Sequence, residues 1–107
     1  MGLGTFEFTV LLAVLELGEN AYAVSILAAA QARTGRTPAR GALYTTLARL
    51  EWKGLVRSRM GEATRVRGGK RKRYYRLTAA GQKALGAARS ELLDRWRSLG
   101  RALEQWP

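Results

Sequence analysis

Apolar residues in this chain change their period twice along its 107 residues, and that change limits the folds open to it. Up to Trp52 they recur every three or four positions, as on helices. Over residues 55–60 and 73–77 they alternate, as on half-buried strands. From residue 79 the helical spacing returns and runs to about Glu104. The pattern reads as mostly α with a small β-hairpin, in a single small domain. An apolar fraction of 47% is enough for one core, so wholesale disorder is not expected.

Punctuation residues set the expected helix ends. The first helix is predicted over residues 6–17, with Thr5 as N-cap, Glu7 in the first turn and Gly18 as a left-handed stop. Phe8, Leu11, Leu12 and Leu15 form one predicted buried stripe, and Val10, Val14 and Leu17 a second. A short helix that is apolar on two sides is expected to meet more than its own domain, such as a second subunit. Asn20 is the expected cap of a helix over 21–34, closed by Gly35, whose alanines need no role beyond helix propensity and close packing. For the third helix, Thr37 is the expected N-cap, Pro38 the first helical residue and Gly54 the stop. Leu43, Leu47 and Leu50 line its inner face. Gly41, Tyr44, Thr45, Ala48, Arg49 and Trp52 make an outer face without acids. Such a face suits a helix in a DNA groove, although a subunit contact would use the same residues. Thr78 caps the last helix, where Leu85, Ala88, Leu92, Trp96, Leu99, Leu103 and Trp106 follow an approximate heptad. A homodimer built on this helix and the first is expected.

Charge is distributed as unevenly as period. Nineteen Lys and Arg against eight acids give +11. Residues 1–32 carry three acids and no base, whereas residues 33–76 carry fourteen bases and two acids. A solvated face mixes its signs; this stretch concentrates one, and a polyanionic partner is the natural reason. Within it, residues 61–72 combine Gly61, Gly68 and Gly69 with Arg65, Arg67, Lys70, Arg71 and Lys72. At a hairpin tip these cations would meet phosphates; the blander alternative is a solvated loop that only a polyanion orders.

The absences narrow the chemistry. With no Cys and no His, disulfides, thiol nucleophiles, Ser-His catalysis and thiolate or imidazole metal sites are excluded. The serines lack a base, the carboxylates form no evident pair, and no phosphate-binding Gly loop precedes a helix. No enzyme, cofactor or metal is expected. The apolar run over residues 8–15 is too short to span a bilayer, and no Lys or Arg precedes Arg33, so a cytoplasmic protein is expected.

Three helices, a hairpin and a further helix, in that order, describe a winged helix-turn-helix over residues 1–77 followed by a dimerisation helix over 78–107. Two runs carry a closer resemblance: "GALYTTLARLEWKGLV" at residues 41–56 and "GGKRKRYYRLTAAGQKAL" at residues 68–85. A weaker match is "LLAVLELGENAYAVSI" at residues 11–26. Together they resemble the PadR family of bacterial transcriptional regulators, in particular its short members with a single C-terminal helix. Trp52 departs from that pattern, standing where the family commonly has a charged residue, and "EATRVRGGK" at residues 62–70 is unusually rich in Arg.

The resemblance implies a homodimeric, sequence-specific DNA-binding regulator, most often a repressor, whose partner is a double-stranded operator. Arg40, Gly41, Tyr44, Thr45 and Arg49 then fall on the recognition helix. Arg65, Arg67, Gly68, Gly69, Lys70, Arg71 and Lys72 fall on the wing. Leu85, Leu92, Trp96, Leu99 and Leu103 form the expected dimer seam. Some relatives respond to planar organic effectors held by aromatic residues, which makes Trp96 and Trp106 candidate ligand contacts. A basic protein binding nucleic acid without sequence preference, or binding a membrane surface, is the alternative, and it leaves the capped third helix and the hairpin without a purpose.

Overall fold

The computed structural model describes residues 2–62 and 71–107, which are helical apart from one hairpin. The helices α1 (Thr5–Leu17), α2 (Ala23–Thr34) and α3 (Arg40–Trp52) come first, with a 3-10 turn at Gly18–Asn20 between α1 and α2. Strands β1 (Val56–Met60) and β2 (Arg73–Leu77) pair antiparallel, Val56 opposite Leu77 and Met60 opposite Arg73. The long α4 (Ala79–Glu104) follows. This is the mostly α fold with a small hairpin that the periodicity predicts, and β2 and α4 have the expected bounds.

The core gathers Val10, Leu11, Ala13 and Val14 of α1, Ile26 of α2, and Leu43, Leu47 and Leu50 of α3. Val56 and Tyr75 of the hairpin seal it. Of the first predicted stripe on α1, only Leu11 is fully buried. Phe8 and Leu12 are half-buried and Leu15 is exposed, because they face a groove beside α4 and not the core.

Several helix ends differ from expectation, each for a reason visible in the contacts around it. Thr5 is the first residue of α1 and Gly4 its cap, since the Glu7 carboxylate reaches back to accept the Gly4 N–H at 3.0 Å. Gly18 ends α1 at positive φ, but its ψ of −121° lies outside the left-handed helical well and leads into the 3-10 turn. Tyr22 caps α2 in place of Asn20. It is held extended by a bridge to Tyr74, while the Tyr75 N–H donates to the Ala21 carbonyl at 2.8 Å. Those two residues edge the sheet, so the helix cannot begin before Ala23. Likewise α3 starts at Arg40 behind Ala39, and neither Thr37 nor Pro38 belongs to it. Residues 39–42 are exposed and Leu43 is the first buried position, so no packing supports an earlier turn. Leu55 stays outside β1, its N–H donating to the Leu50 carbonyl at the end of α3.

One threonine joins the two halves of the chain. Thr78 Oγ1 accepts the Gly81 N–H at 3.0 Å, capping α4, and donates to the Gly54 carbonyl at 2.6 Å behind α3. Its own N–H donates to the Leu55 carbonyl at 3.1 Å. Gly81 is buried in this junction, where a Cβ would collide with the Leu55 carbonyl and Leu77. Beyond Leu85, which packs partly on the core, only Ala88 and Leu93 of α4 are half-buried, and the long axis of the described residues is 65 Å.

Candidate nucleic-acid interface

The outer face of α3 is set by the burial of the inner one. Leu43, Thr46, Leu47 and Leu50 are drawn into the core, which leaves Arg40, Gly41, Thr45, Ala48 and Arg49 exposed and Tyr44 52% exposed. The acid of this helix, Glu51, is occupied elsewhere: its carboxylate accepts the Ser58 N–H at 3.1 Å and the Ser58 hydroxyl at 2.7 Å. The first turn of α3 has no side-chain cap, so its N–H groups and Arg40 offer positive potential at one exposed end.

The same contacts aim the hairpin. Ser58 of β1, held by Glu51, also accepts a hydrogen bond from the Arg73 guanidinium of β2 at 3.0 Å. A chain of three side chains therefore fixes both strands to the C-terminal turn of α3. At the far end of the strands, the Gly61 N–H donates to the Lys72 carbonyl at 2.7 Å and Arg71 Nε donates to the Gly61 carbonyl at 2.8 Å. Arg71 and Lys72 are exposed at the base of the predicted wing. Arg65, Arg67, Gly68, Gly69 and Lys70 lie outside the described residues.

The strand register brings forward residues that motif reading passed over. Arg57 stands opposite Arg76, and Arg59 opposite Tyr74. The Arg59 guanidinium lies 4.9 Å from the Tyr74 ring centre, and Lys72 Nζ lies 4.3 Å from that of Tyr22. Pairing the predicted strands back from Val56 and Leu77 would have aligned these arginines.

A second surface is apolar. Phe8, Leu12 and Leu15 of α1 face Leu85, Leu92, Leu93 and Trp96 of α4 across a groove of about 690 Å³. Farther out, Leu99, Leu103 and Trp106 are exposed on α4. Trp52, the departure from the family pattern, projects from the end of α3 with 87% of its surface exposed. Among the described residues, no cluster of acids suits a metal ion and no helix is long and apolar enough to cross a membrane.

Three packed helices, a hairpin fastened to the third of them and a trailing long helix define a winged helix-turn-helix with a C-terminal helix. The model of the transcriptional regulator PadR-like family matches residues 11–87, and the chain belongs to that family. It is similar in structure to a PadR family transcription regulator from Clostridium difficile, with a TM-score of 0.70 at 25% identity, covering 95% of this chain and 97% of that one. A PadR family regulator from Eggerthella lenta gives a TM-score of 0.70 at 28% identity, covering 91% and 82%. A PadR-like regulator from Bacillus cereus shares the fold, with a TM-score of 0.76 at 18% identity over 97% and 95% of the two chains. No curated protein sequence matches the chain. The fold and the family are those of DNA-binding transcriptional regulators, which are not enzymes.

Proposed function

We propose that the chain is a homodimeric, sequence-specific DNA-binding repressor in which α3 reads base edges and the hairpin loop holds phosphates. The observation that carries this reading is the exposed, cationic and hydrogen-bonding face of α3, whose acid is turned away to hold the wing. Arg40, Tyr44, Thr45 and Arg49 supply groups for base edges, and Gly41 lets the helix approach the groove closely. Arg65, Arg67, Gly68, Gly69, Lys70, Arg71 and Lys72 form the phosphate-contacting wing. Residues 1–77 act as the DNA-binding unit and residues 78–107 as the dimerisation helix.

The apolar groove between α1 and α4 supports the second subunit, with Leu85, Leu92, Trp96, Leu99 and Leu103 on the seam. In a symmetric dimer each indole has a copy, and Trp96 or Trp106 with its copy would stack on a planar, cationic organic effector. Such an effector shifts operator affinity only if it favours one dimer conformation over another.

The test begins by selecting duplexes from a random pool with the purified protein. Selected duplexes are expected to bind at least tenfold more tightly than random ones at the same salt, and calorimetry with planar cations then reads the effector site. Equal affinity for selected and random duplexes would instead establish a basic protein without sequence preference.

A further inference from the structure

The hairpin has a second face. Val56, Ser58 and Tyr75 are turned toward the core and α3, so alternation along paired strands puts Arg57, Arg59, Tyr74 and Arg76 on the opposite side. Arg57 and Arg76 sit directly across from each other, an arrangement that repulsion disfavours. Among the described residues, no carboxylate lies within salt-bridge distance of Arg57, Arg59 or Arg76. Glu19 borders the same depression as Arg59 and Arg76. Lys72 over Tyr22, the edge-to-face contact of Tyr22 with Tyr74, and Arg59 over Tyr74 continue the face toward the wing.

Resting on the DNA-binding reading above, we propose that this outer sheet face binds the phosphates of duplex DNA flanking the segment that α3 reads. A like-charged cross-strand pair is stabilised when an anion bridges it, and a phosphate accepts from two guanidinium groups at once. The two tyrosine rings have cations against them, so they offer no open platform on which unpaired bases would stack. Backbone phosphates suit what remains. Because the face points away from α3, flanking DNA must curve round the hairpin to reach it, which lengthens the site without adding base contacts.

The experiment compares wild type with an Arg57→Gln, Arg59→Gln, Arg76→Gln variant on two duplexes that share one selected core. The first ends at the core; the second extends it by ~15 bp on each side, about one and a half helical turns. On the extended duplex, the slope of log affinity against log salt is expected to fall by about 2 for each protomer, at roughly 0.9 for each of the two phosphates no longer neutralised, one bridging Arg57 and Arg76 and one at Arg59. On the short duplex the two proteins are expected to bind alike, and preference for the selected core is expected to be retained on both. Relief of the Arg57–Arg76 repulsion is expected to hold or raise the thermal midpoint, and Lys at the same three positions to restore the slope. Should the triple variant fail to fold, Arg59→Gln alone is read in the same way, with a drop of about 1. Equal slopes on the extended duplex overturn the proposal. An equal drop on both duplexes also overturns it, since it assigns these arginines to the surface α3 already occupies. A wild type that binds neither duplex overturns this proposal together with the DNA-binding reading, and the wild-type arm alone identifies that case.

Discussion

Glu7 is a carboxylate almost wholly withdrawn from water, and the fold keeps it charged with two donors. Lys53 Nζ approaches Oε2 at 2.9 Å and the Gly4 N–H approaches Oε1 at 3.0 Å, tying α1 to the end of α3. The Lys53 ammonium is the larger influence and the Gly4 N–H the next; together they hold the carboxyl below its ordinary value of 4.5. The lowered value belongs to the folded state, so the unfolded chain takes up the proton first as pH falls. The stabilisation is therefore complete above about pH 4.5 and is lost below it, as the folded carboxyl itself protonates. Glu7→Gln is expected to cost about 1–2 kcal/mol at neutral pH, Lys53 being able to rehydrate in part. The difference from wild type should shrink in acid, as denaturant melts from pH 7 to pH 3 would show. Gly81→Ala tests a steric constraint. The added methyl meets a backbone carbonyl already engaged by Thr78, and a loss of about 1–3 kcal/mol is expected in the same melts, at any pH.

At the scale of elements, helix and wing are expected to fail differently. Tyr44→Ala removes an exposed group from the reading face and should narrow the gap between selected and random duplexes. Arg71→Ala should weaken both about equally and flatten the salt slope by ~1. Paired binding titrations of the two variants measure this, and the reverse pattern would exchange the roles of helix and wing. The elements themselves were legible to different depths. Alternation gave β2 to the residue, and Thr78 gave the start of α4, because both signals are local. The starts of α2 and α3 were not legible. Asn20 and Thr37 are good caps in isolation, but Tyr22 is captured by β2 and residues 39–42 are exposed ahead of Leu43. Nor does periodicity say which apolar stripe of α1 belongs to its own core; Leu11 and Leu15 share a spacing and differ in fate. The exposed face of α3 was legible in the sequence because the helix has a single buried side. The Arg57–Arg76 pair did not, since it exists only through register.

For the whole molecule, the outer half of α4 is the feature that a lone chain leaves unsatisfied. Leu92 and Leu99 are half exposed and Leu103 more so, and burying such side chains contributes roughly 1.5–3 kcal/mol each. A variant with Leu92→Asp and Leu99→Asp is expected to sediment as a folded monomer at micromolar concentration, because the carboxylates would enter the seam without partners. A dimer surviving both changes would place the interface elsewhere. The helical circular dichroism of the variant should fall little, because the buried core does not involve those leucines.

All three tryptophans of this chain lie on the surface, at 87%, 74% and 78% exposure for Trp52, Trp96 and Trp106. Their intrinsic emission is accordingly a poor reporter of unfolding for an isolated chain, since each indole is already bathed in water before the core opens. The same emission should shift to the blue when chains associate along α4, and the shift should grow with protein concentration. Trp52 lies at the end of α3 but borders a groove that Ala88, Leu92 and Arg95 of α4 also line, so its share of the shift is read from Trp52→Phe. A dilution series of Trp96→Phe and Trp106→Phe would then separate the seam's contribution from that of the rest of the molecule.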